Sequence, residues 1–400
     1  MEDPAAVGST QPVTWNLRFS LLAAATLPVM ANFCIAPVLA KLQAHFSAVR
    51  AAPIFVPMLL TLPAAMGVVS SPVLGALLDR VNKRRVLIVA AAAFGILGVL
   101  PFFLDRLNVM LFTRVLLGIA EGALMTGVTA MVADAVSGYE LKRFYSLMHA
   151  VMSVSGIVFL SAGGMLGENG WRQPFLLFGL GLVVAVALTT TPQVRVATTT
   201  ARAAGEPYPW RLALPILSAP IFGWLLYYLI PSGLPFLLRE RGLDSPKAAG
   251  FAGATAMVCV MMTCLVYPRM SRRLAPLHML AVTYLLMAAG FGIVAGAEAY
   301  RILVLGCAVT GLGFGLLMPN VAVMLLGRVA PAVRGRAAAG ISMSVMIAVF
   351  FTPLLRHFAA TALGGTGQVF MAASVLLLCV GLALVFAGAR ATDGTPKAAV

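Results

Sequence analysis

Charge is scarce along this 400-residue chain. Only 10% of its residues are Asp, Glu, Lys or Arg, and the acids number just 13. A soluble domain carries roughly 25% charged residues, so a water-facing shell for a globule of this size is missing. Hydrophobic residues make up 61% and the mean hydropathy is +0.97. Polar groups cannot cover such a surface, and lipid must face much of it. A soluble enzyme, a disordered chain and a secreted disulfide scaffold are all excluded. Cysteine is also sparse: Cys34, Cys259, Cys264, Cys307 and Cys379 are odd in number, lie in apolar stretches and lack metal-ligand spacing. They read as small core residues. No Gly-Lys-Ser/Thr phosphate loop, no His/Cys/carboxylate cluster and no Gly-x-Ser-x-Gly elbow occurs. ATP drive, a bound metal, a cofactor and hydrolase chemistry are therefore not expected.

What is abundant is apolar sequence in long runs. A membrane-crossing helix needs about 20 mostly apolar residues. Twelve runs meet that need: 18–40, 52–78, 85–104, 108–134, 144–167, 172–191, 212–237, 247–268, 276–297, 301–327, 335–357 and 367–389. The second contains Pro53, Pro57, Pro63 and Pro72, which neighbouring helices can accommodate in a membrane. The polar start, with Glu2 and Asp3, lacks the features of a signal peptide, so the first run is expected to remain. Trp15, Trp171 and Trp210 fall at run ends, where aromatic belts sit.

The net charge of +15 comes from 23 Arg and 5 Lys. In a soluble protein it would suggest nucleic acid. Here the basic residues follow topology. With the N-terminus inside, 18 fall on the cytoplasmic side and 9 outside, Arg356 among the latter; Arg114 lies within the fourth run. That bias places both termini in the cytoplasm. The longest polar stretch follows six runs and precedes six more, so residues 193–211 read as a linker between 1–192 and 212–400. The halves echo each other: Gly122-Ala-Leu-Met125 and Gly315-Leu-Leu-Met318 lie 193 residues apart, in the fourth and tenth runs. Duplicated six-span halves are typical of secondary transporters.

The loop after the second run reads Gly75-Ala-Leu-Leu-Asp79-Arg80-Val-Asn82-Lys83-Arg84-Arg85. Gly75 would let two helices approach. Asp79 sits among four cations and can pair charges across helix ends. The turn calls for a residue tolerant of positive φ, and Asn82 is the best non-glycine choice. This loop resembles the signature loop of the major facilitator superfamily, G-x-L-a-D-r-x-G-r-k. The equivalent loop in the second half is degenerate, with Pro268 where the acid would stand. The resemblance implies an all-α membrane protein of 12 transmembrane helices in two pseudo-symmetric six-helix bundles.

Arg114-Val-Leu-Leu-Gly118-Ile-Ala-Glu121-Gly122 resembles the family's fourth-span R-x-x-x-G element, often linked to proton coupling. Intramembrane charges cost about 2.5–3.5 kcal/mol each on insertion scales. Arg114 and Glu121 are nearly two turns apart on one face, about 10 Å along the axis, with Gly118 between them. A carboxyl held between burial and a cation can bind and release a proton. The alternative is a structural ion pair. Asp134 ends the fourth run, where the family often has an acid that latches the signature loop; Arg80 or Arg84 would be its partner. The fifth run closes on Gly163-Gly164 as the family's antiporters do, but has Phe159-Leu160 where they have Gly-Pro. In runs that line the central cavity of the family, Asn32, Tyr227, Tyr228 and Asn320 are candidate cargo contacts or helix–helix hydrogen bonds, and Gly118 is expected to line the same cavity. His149 reads as interfacial or structural.

The chain is most similar to bacterial exporters of the drug/proton antiporter branch. That implies a monomer in the inner membrane that exports a small organic molecule against a proton gradient. Its partners would be the small-molecule substrate and the lipid bilayer. An importer or facilitator, and a non-transporting sensor or scaffold, are the rival readings.

Overall fold

The computed structural model describes residues 15–78, 81–136, 138–191, 210–329 and 334–393. Among them, eleven helices are long and apolar enough to cross a membrane. In chain order they are Trp15–His45, Ala52–Ser71, Lys83–Phe103, Leu107–Val132 and Arg143–Glu168, then Arg211–Glu240, Pro246–Met270, Pro276–Gly296, Tyr300–Leu325, Gly340–Leu363 and Thr366–Ala387. A shorter apolar helix, Gln173–Thr189, lies between the fifth and the next. Counted in order these are spans one to twelve, at the positions the hydropathy predicts. The sixth is short because it opens on a 3-10 stretch, Gln173–Gly179, before turning α-helical over Leu180–Thr189. No strand occurs among the described residues.

Three spans are interrupted. The first runs helical over Trp15–Phe33, passes through a short 3-10 turn at Ala36–Val38 and resumes at Leu39–His45. The seventh breaks at Tyr228, between Trp210–Tyr227 and Leu229–Glu240. The tenth breaks at Gly315 and Leu316, between Tyr300–Phe314 and Leu317–Leu326. A proline stands within or just after each break: Pro37, Pro231 and Pro319. A proline has no N–H, so the carbonyl four residues before it loses its helical partner. The breaks in spans one and seven fall at corresponding points of the repeat. Span four, with no proline, runs unbroken from Leu107 to Ala135.

The described residues divide into two compact units. Those within Met1–Ala31, Leu62–Ser155 and Phe175–Ala201 form unit 1; those within Asn32–Thr61, Gly156–Pro174 and Arg202–Val400 form unit 2. Unit 2 thus contains the second half together with the C-terminal ends of spans one and five and the N-terminal ends of spans two and six. We call these the far end.

The repeat is written in the glycines. In unit 1, a Cβ on Gly118 would strike the Pro63 carbonyl of span two, and one on Gly122 would lie 2.7 Å from the Gly67 carbonyl. In unit 2, a Cβ on Gly311 would strike the Ala256 carbonyl of span eight, and one on Gly315 would lie 2.5 Å from the Val260 carbonyl. Each pair of contacts is displaced by 193 residues from the other. Backbone meets backbone at both places because no side chain intervenes.

Two sequence expectations fail. Asn82 does not adopt positive φ, and no non-glycine among the described residues does. It is extended, at φ −65° and ψ 108°, and its side chain accepts from the Arg84 and Arg85 N–H groups at 3.0 and 3.4 Å. Asparagine serves here as an N-cap of span three. Arg356 is not a loop cation. It lies inside helix Arg334–Leu363, only 5% exposed, with its guanidinium 3.9 Å from the Phe236 ring. The aromatic face makes burial tolerable.

Candidate functional site

Three places in the chain carry the polar residues that a membrane protein would otherwise avoid. The first is span four. Arg114 is fully buried. Its Nη2 donates to the Gly98 carbonyl of span three at 3.1 Å, and its guanidinium lies 5.2 Å from the Phe175 ring and 4.9 Å from the Phe178 ring. Gly98 admits Phe178, whose ring occupies the space a Cβ would fill. Glu121 is 5% exposed on the same helix. Gly118, expected to line a cavity, instead seats span four on Pro63 and Met66 of span two. In the repeat, the positions of Arg114 and Glu121 are taken by Cys307 and Phe314. The two charges are thus peculiar to the first half. Arg114→Lys keeps the charge but gives up the planar stack on two rings. It should lower the thermal unfolding temperature of the purified protein, at a cost of about 1–2 kcal/mol.

The second place is the paired break of spans one and seven. The helix Trp15–Phe33 ends with carbonyls that have no helical partner. Tyr228 supplies one: its hydroxyl donates to the Asn32 carbonyl at 3.0 Å. Tyr227 beside it is 1% exposed and stacks on Phe314, with centroids 3.7 Å apart and planes at 7°. The Tyr227 hydroxyl is buried with no hydrogen-bond partner among the described residues. Such a group is costly to leave unsatisfied in a native core. Asn320 is satisfied between helices, donating to the Pro276 carbonyl at 2.8 Å and accepting from the Tyr267 hydroxyl at 3.4 Å.

The third is the far end of unit 2. Cys34 is fully buried, and its carbonyl occupies the space that a Cβ on Gly163 would need. A Cβ on Gly164 would lie 2.7 Å from the Pro246 carbonyl, and one on Gly250 would lie 2.6 Å from the Leu160 carbonyl. The side chain of Leu160 packs onto Gly253, where a Cβ would stand 2.6 Å from it. The Leu160 side chain, part of what replaces Gly-Pro on span five, is therefore received by Gly253 of span eight. A polar clasp closes the edge. The Glu168 carboxylate accepts from Ser245 Oγ at 2.5 Å and from the Lys247 N–H at 2.9 Å, capping span eight beside its own N-cap, Ser245. Lys41 donates to the Gly167 carbonyl at 3.2 Å, and Arg239 to the Ala40 carbonyl at 2.9 Å. These far-end partners could not be read from the sequence, because nothing local pairs residue 168 with 245. Glu168→Ala should cost on the order of 1–3 kcal/mol of this packing. Hydrogen exchange of the first-turn amides of span eight should quicken accordingly.

At the opposite end, Arg84 donates through Nε to the Leu188 carbonyl at 3.1 Å and through Nη2 to the Thr189 carbonyl. It ties span three to the end of span six. Lys83 is half-buried beside it. Gly75 and Asp134 lie in helices Ala52–Leu78 and Leu107–Ala135, with surroundings outside the described residues. Asp79 and Arg80 also lie outside them. His149 is exposed on helix Gly138–Glu168.

Twelve spans, a repeat of 193 residues and paired helix breaks meet a family profile. The Major Facilitator Superfamily profile matches residues 21–305. The chain belongs to the major facilitator superfamily. Among curated relatives, the Quinolone resistance protein NorA of Staphylococcus aureus (strain MRSA252) is 25% identical over 127 residues, which are 31% of this chain and 33% of that protein. The 3-(3-hydroxy-phenyl)propionate transporter of Escherichia coli (strain K12) is 26% identical over 196 residues, 46% of this chain and 47% of that protein. The matched stretches thus span a third to about half of these relatives. Among solved structures, a bacterial homolog of the human lysosomal transporter Spinster superposes with a TM-score of 0.78 at 15% identity, covering 97% of this chain and all of that one. A D-xylose–proton symporter superposes at 0.74 and 14% identity, covering 92% and 97%. These structures share the fold of a superfamily whose members here are transporters. The chain is accordingly a multi-pass membrane protein of this superfamily.

Proposed function

We propose that this chain exports a small organic molecule by alternating access, driven by protons moving the other way. The carrying observation is the pair of charges on span four, Arg114 and Glu121, buried in the first half and replaced by Cys307 and Phe314 in the second. A buried acid and base in a membrane helix mark ion or proton pathways by default. In this reading Glu121 takes up and releases the proton, and Arg114 holds the surrounding helices and tunes the site. Asn32, Tyr227 and Tyr228 contact the cargo at the paired helix breaks, the place where such folds bind substrates. The unpartnered Tyr227 hydroxyl supports that assignment.

The two bundles, 1–192 and 212–400, rock about this midplane site with 193–211 as the linker. The far end faces outward and forms one gate. Its seal is the Gly163-Gly164 packing and the Glu168 clasp, a reading supported by the grouping of the ends of spans one, two, five and six with unit 2. Asp79 and Arg80 with Asp134 latch the other gate, and Arg84 anchors span three to span six beneath it. The chain works as a monomer in a bacterial inner membrane, with both termini cytoplasmic.

Quinolone resistance in the name of one relative supports export of amphipathic compounds. A second reading, import of a small aromatic acid, rests on the propionate transporter and on the Phe159-Leu160 departure. Everted membrane vesicles separate the two. With the lumen made acidic, export predicts accumulation of a fluorescent quinolone. Accumulation that requires the opposite gradient would favour import.

Tyr227→Phe gives a further check. Removing an unpartnered buried hydroxyl should leave thermal stability unchanged or raise it slightly. The same change should weaken cargo binding about fivefold or more if the hydroxyl meets the cargo. Unaltered binding would remove Tyr227 from the site.

A further inference from the structure

A sizeable cavity in unit 1 lies away from the helix breaks. It is an open groove of about 760 Å³ between spans two, three and four. That volume lies in the range of about 300–1,000 Å³ typical of small-molecule sites. On span three the lining follows one stripe, from Arg85 through Val89 and Ala93 to Leu97. From Arg85 to Leu97 the helix takes twelve steps and rises about 18 Å. Ile119 and Ala120 of span four form the facing wall. Val89 is 67% exposed and Ile119 38% exposed, so the wall is apolar and open at the side. Among the described lining residues the one charged side chain is Arg85, at the groove's end. Arg85 stands in the first turn of span three, whose N-terminus Asn82 caps.

We propose that this groove binds one anionic phospholipid, its acyl chain along span three and its phosphate at Arg85. The dimensions favour it. One leaflet of a bilayer supplies about 15 Å of hydrocarbon, half of a core about 30 Å thick, and the groove offers about that length. The charge favours it as well. A guanidinium at headgroup depth attracts a phosphate and forks onto two of its oxygens. Basic pockets between membrane helices on the cytoplasmic side take anionic headgroups in this way. The side opening admits a chain from the bilayer without any movement of the helices. The proposal does not depend on the cargo site proposed above.

Native mass spectrometry of the purified full-length protein tests the idea. Detergent-solubilised protein is titrated with phosphatidylglycerol or with phosphatidylcholine of the same chains. The wild type should retain one phosphatidylglycerol more tightly than phosphatidylcholine. Arg85→Gln should weaken phosphatidylglycerol about fivefold, to the phosphatidylcholine level, since one surface cation contributes about that much. Ala93→Phe should fill the groove and weaken both lipids. If that variant does not fold, Ile119→Trp narrows the groove from its exposed side and should do the same. Arg143→Gln, on an exposed helix face outside the groove, should leave retention unchanged. Equal retention of both lipids by the wild type would overturn the proposal. So would wild-type retention in Arg85→Gln, or displacement of the lipid by a quinolone at low concentration, which would make the groove a cargo site.

Discussion

Glu121→Gln should abolish transport driven by a pH gradient while leaving exchange of cargo across the membrane intact. Glutamine has nearly the shape of glutamic acid and keeps a carbonyl oxygen, so packing around a 5% exposed position is little disturbed. What it loses is the proton. A gradient of one pH unit supplies about 1.4 kcal/mol for each proton that crosses, enough for about tenfold accumulation of cargo in a one-to-one exchange. With no carrier for the proton the ceiling falls to no accumulation. Exchange of labelled for unlabelled cargo needs only the rocking of the bundles and should persist near the wild-type rate. The measurement is both fluxes in proteoliposomes of one preparation. Driven accumulation by Glu121→Gln at the wild-type level would remove Glu121 from the coupling path.

Gly163→Val should hold the far end open. The Cys34 carbonyl already fills the space of a Cβ at this position, and the obstacle is backbone, which cannot swing aside. Overpacking of this kind costs about 1–3 kcal/mol. A shift of 1.4 kcal/mol is a tenfold change in the open population. Cys34 reports it directly, being fully buried under this contact. In a background with the other four cysteines changed to serine, maleimide labelling of Cys34 from the far side should quicken about tenfold or more, and transport should fall in step. Gly163→Ala should show a smaller effect of the same sign. Labelling at the wild-type rate in both would mean that the span-one and span-five contact is not a gate.

The sequence carried the twelve spans because hydropathy alone demands them, and it carried the repeat through Gly122 and Gly315. It did not show that Gly118 and Gly311 belong to the same repeat, since their contacts, Pro63 and Ala256, share no chemistry beyond a carbonyl. Arg114 and Glu121 were legible because charge inside an apolar run is rare. Arg356 was misplaced for the converse reason. It stands near a run's end, where cations are ordinary, and only the ring of Phe236 reveals that it is buried. Asn82 was found by its place in the signature loop, yet its task is capping rather than turning, because the chain enters span three extended. Glu168 stayed invisible. A carboxylate at the end of one helix says nothing of the helix N-terminus it will cap in another.

The central claim is that cargo and protons cross in opposite directions through one alternating site. Proteoliposomes holding the wild-type protein, a pH-sensitive dye inside and a fluorescent quinolone outside test it in a single recording. With the interior acidic, the account predicts that quinolone accumulates as the internal pH rises, and that liposomes whose gradient an ionophore has collapsed beforehand show neither. Quinolone entry at an equal rate without a gradient, with no change of internal pH, would contradict it.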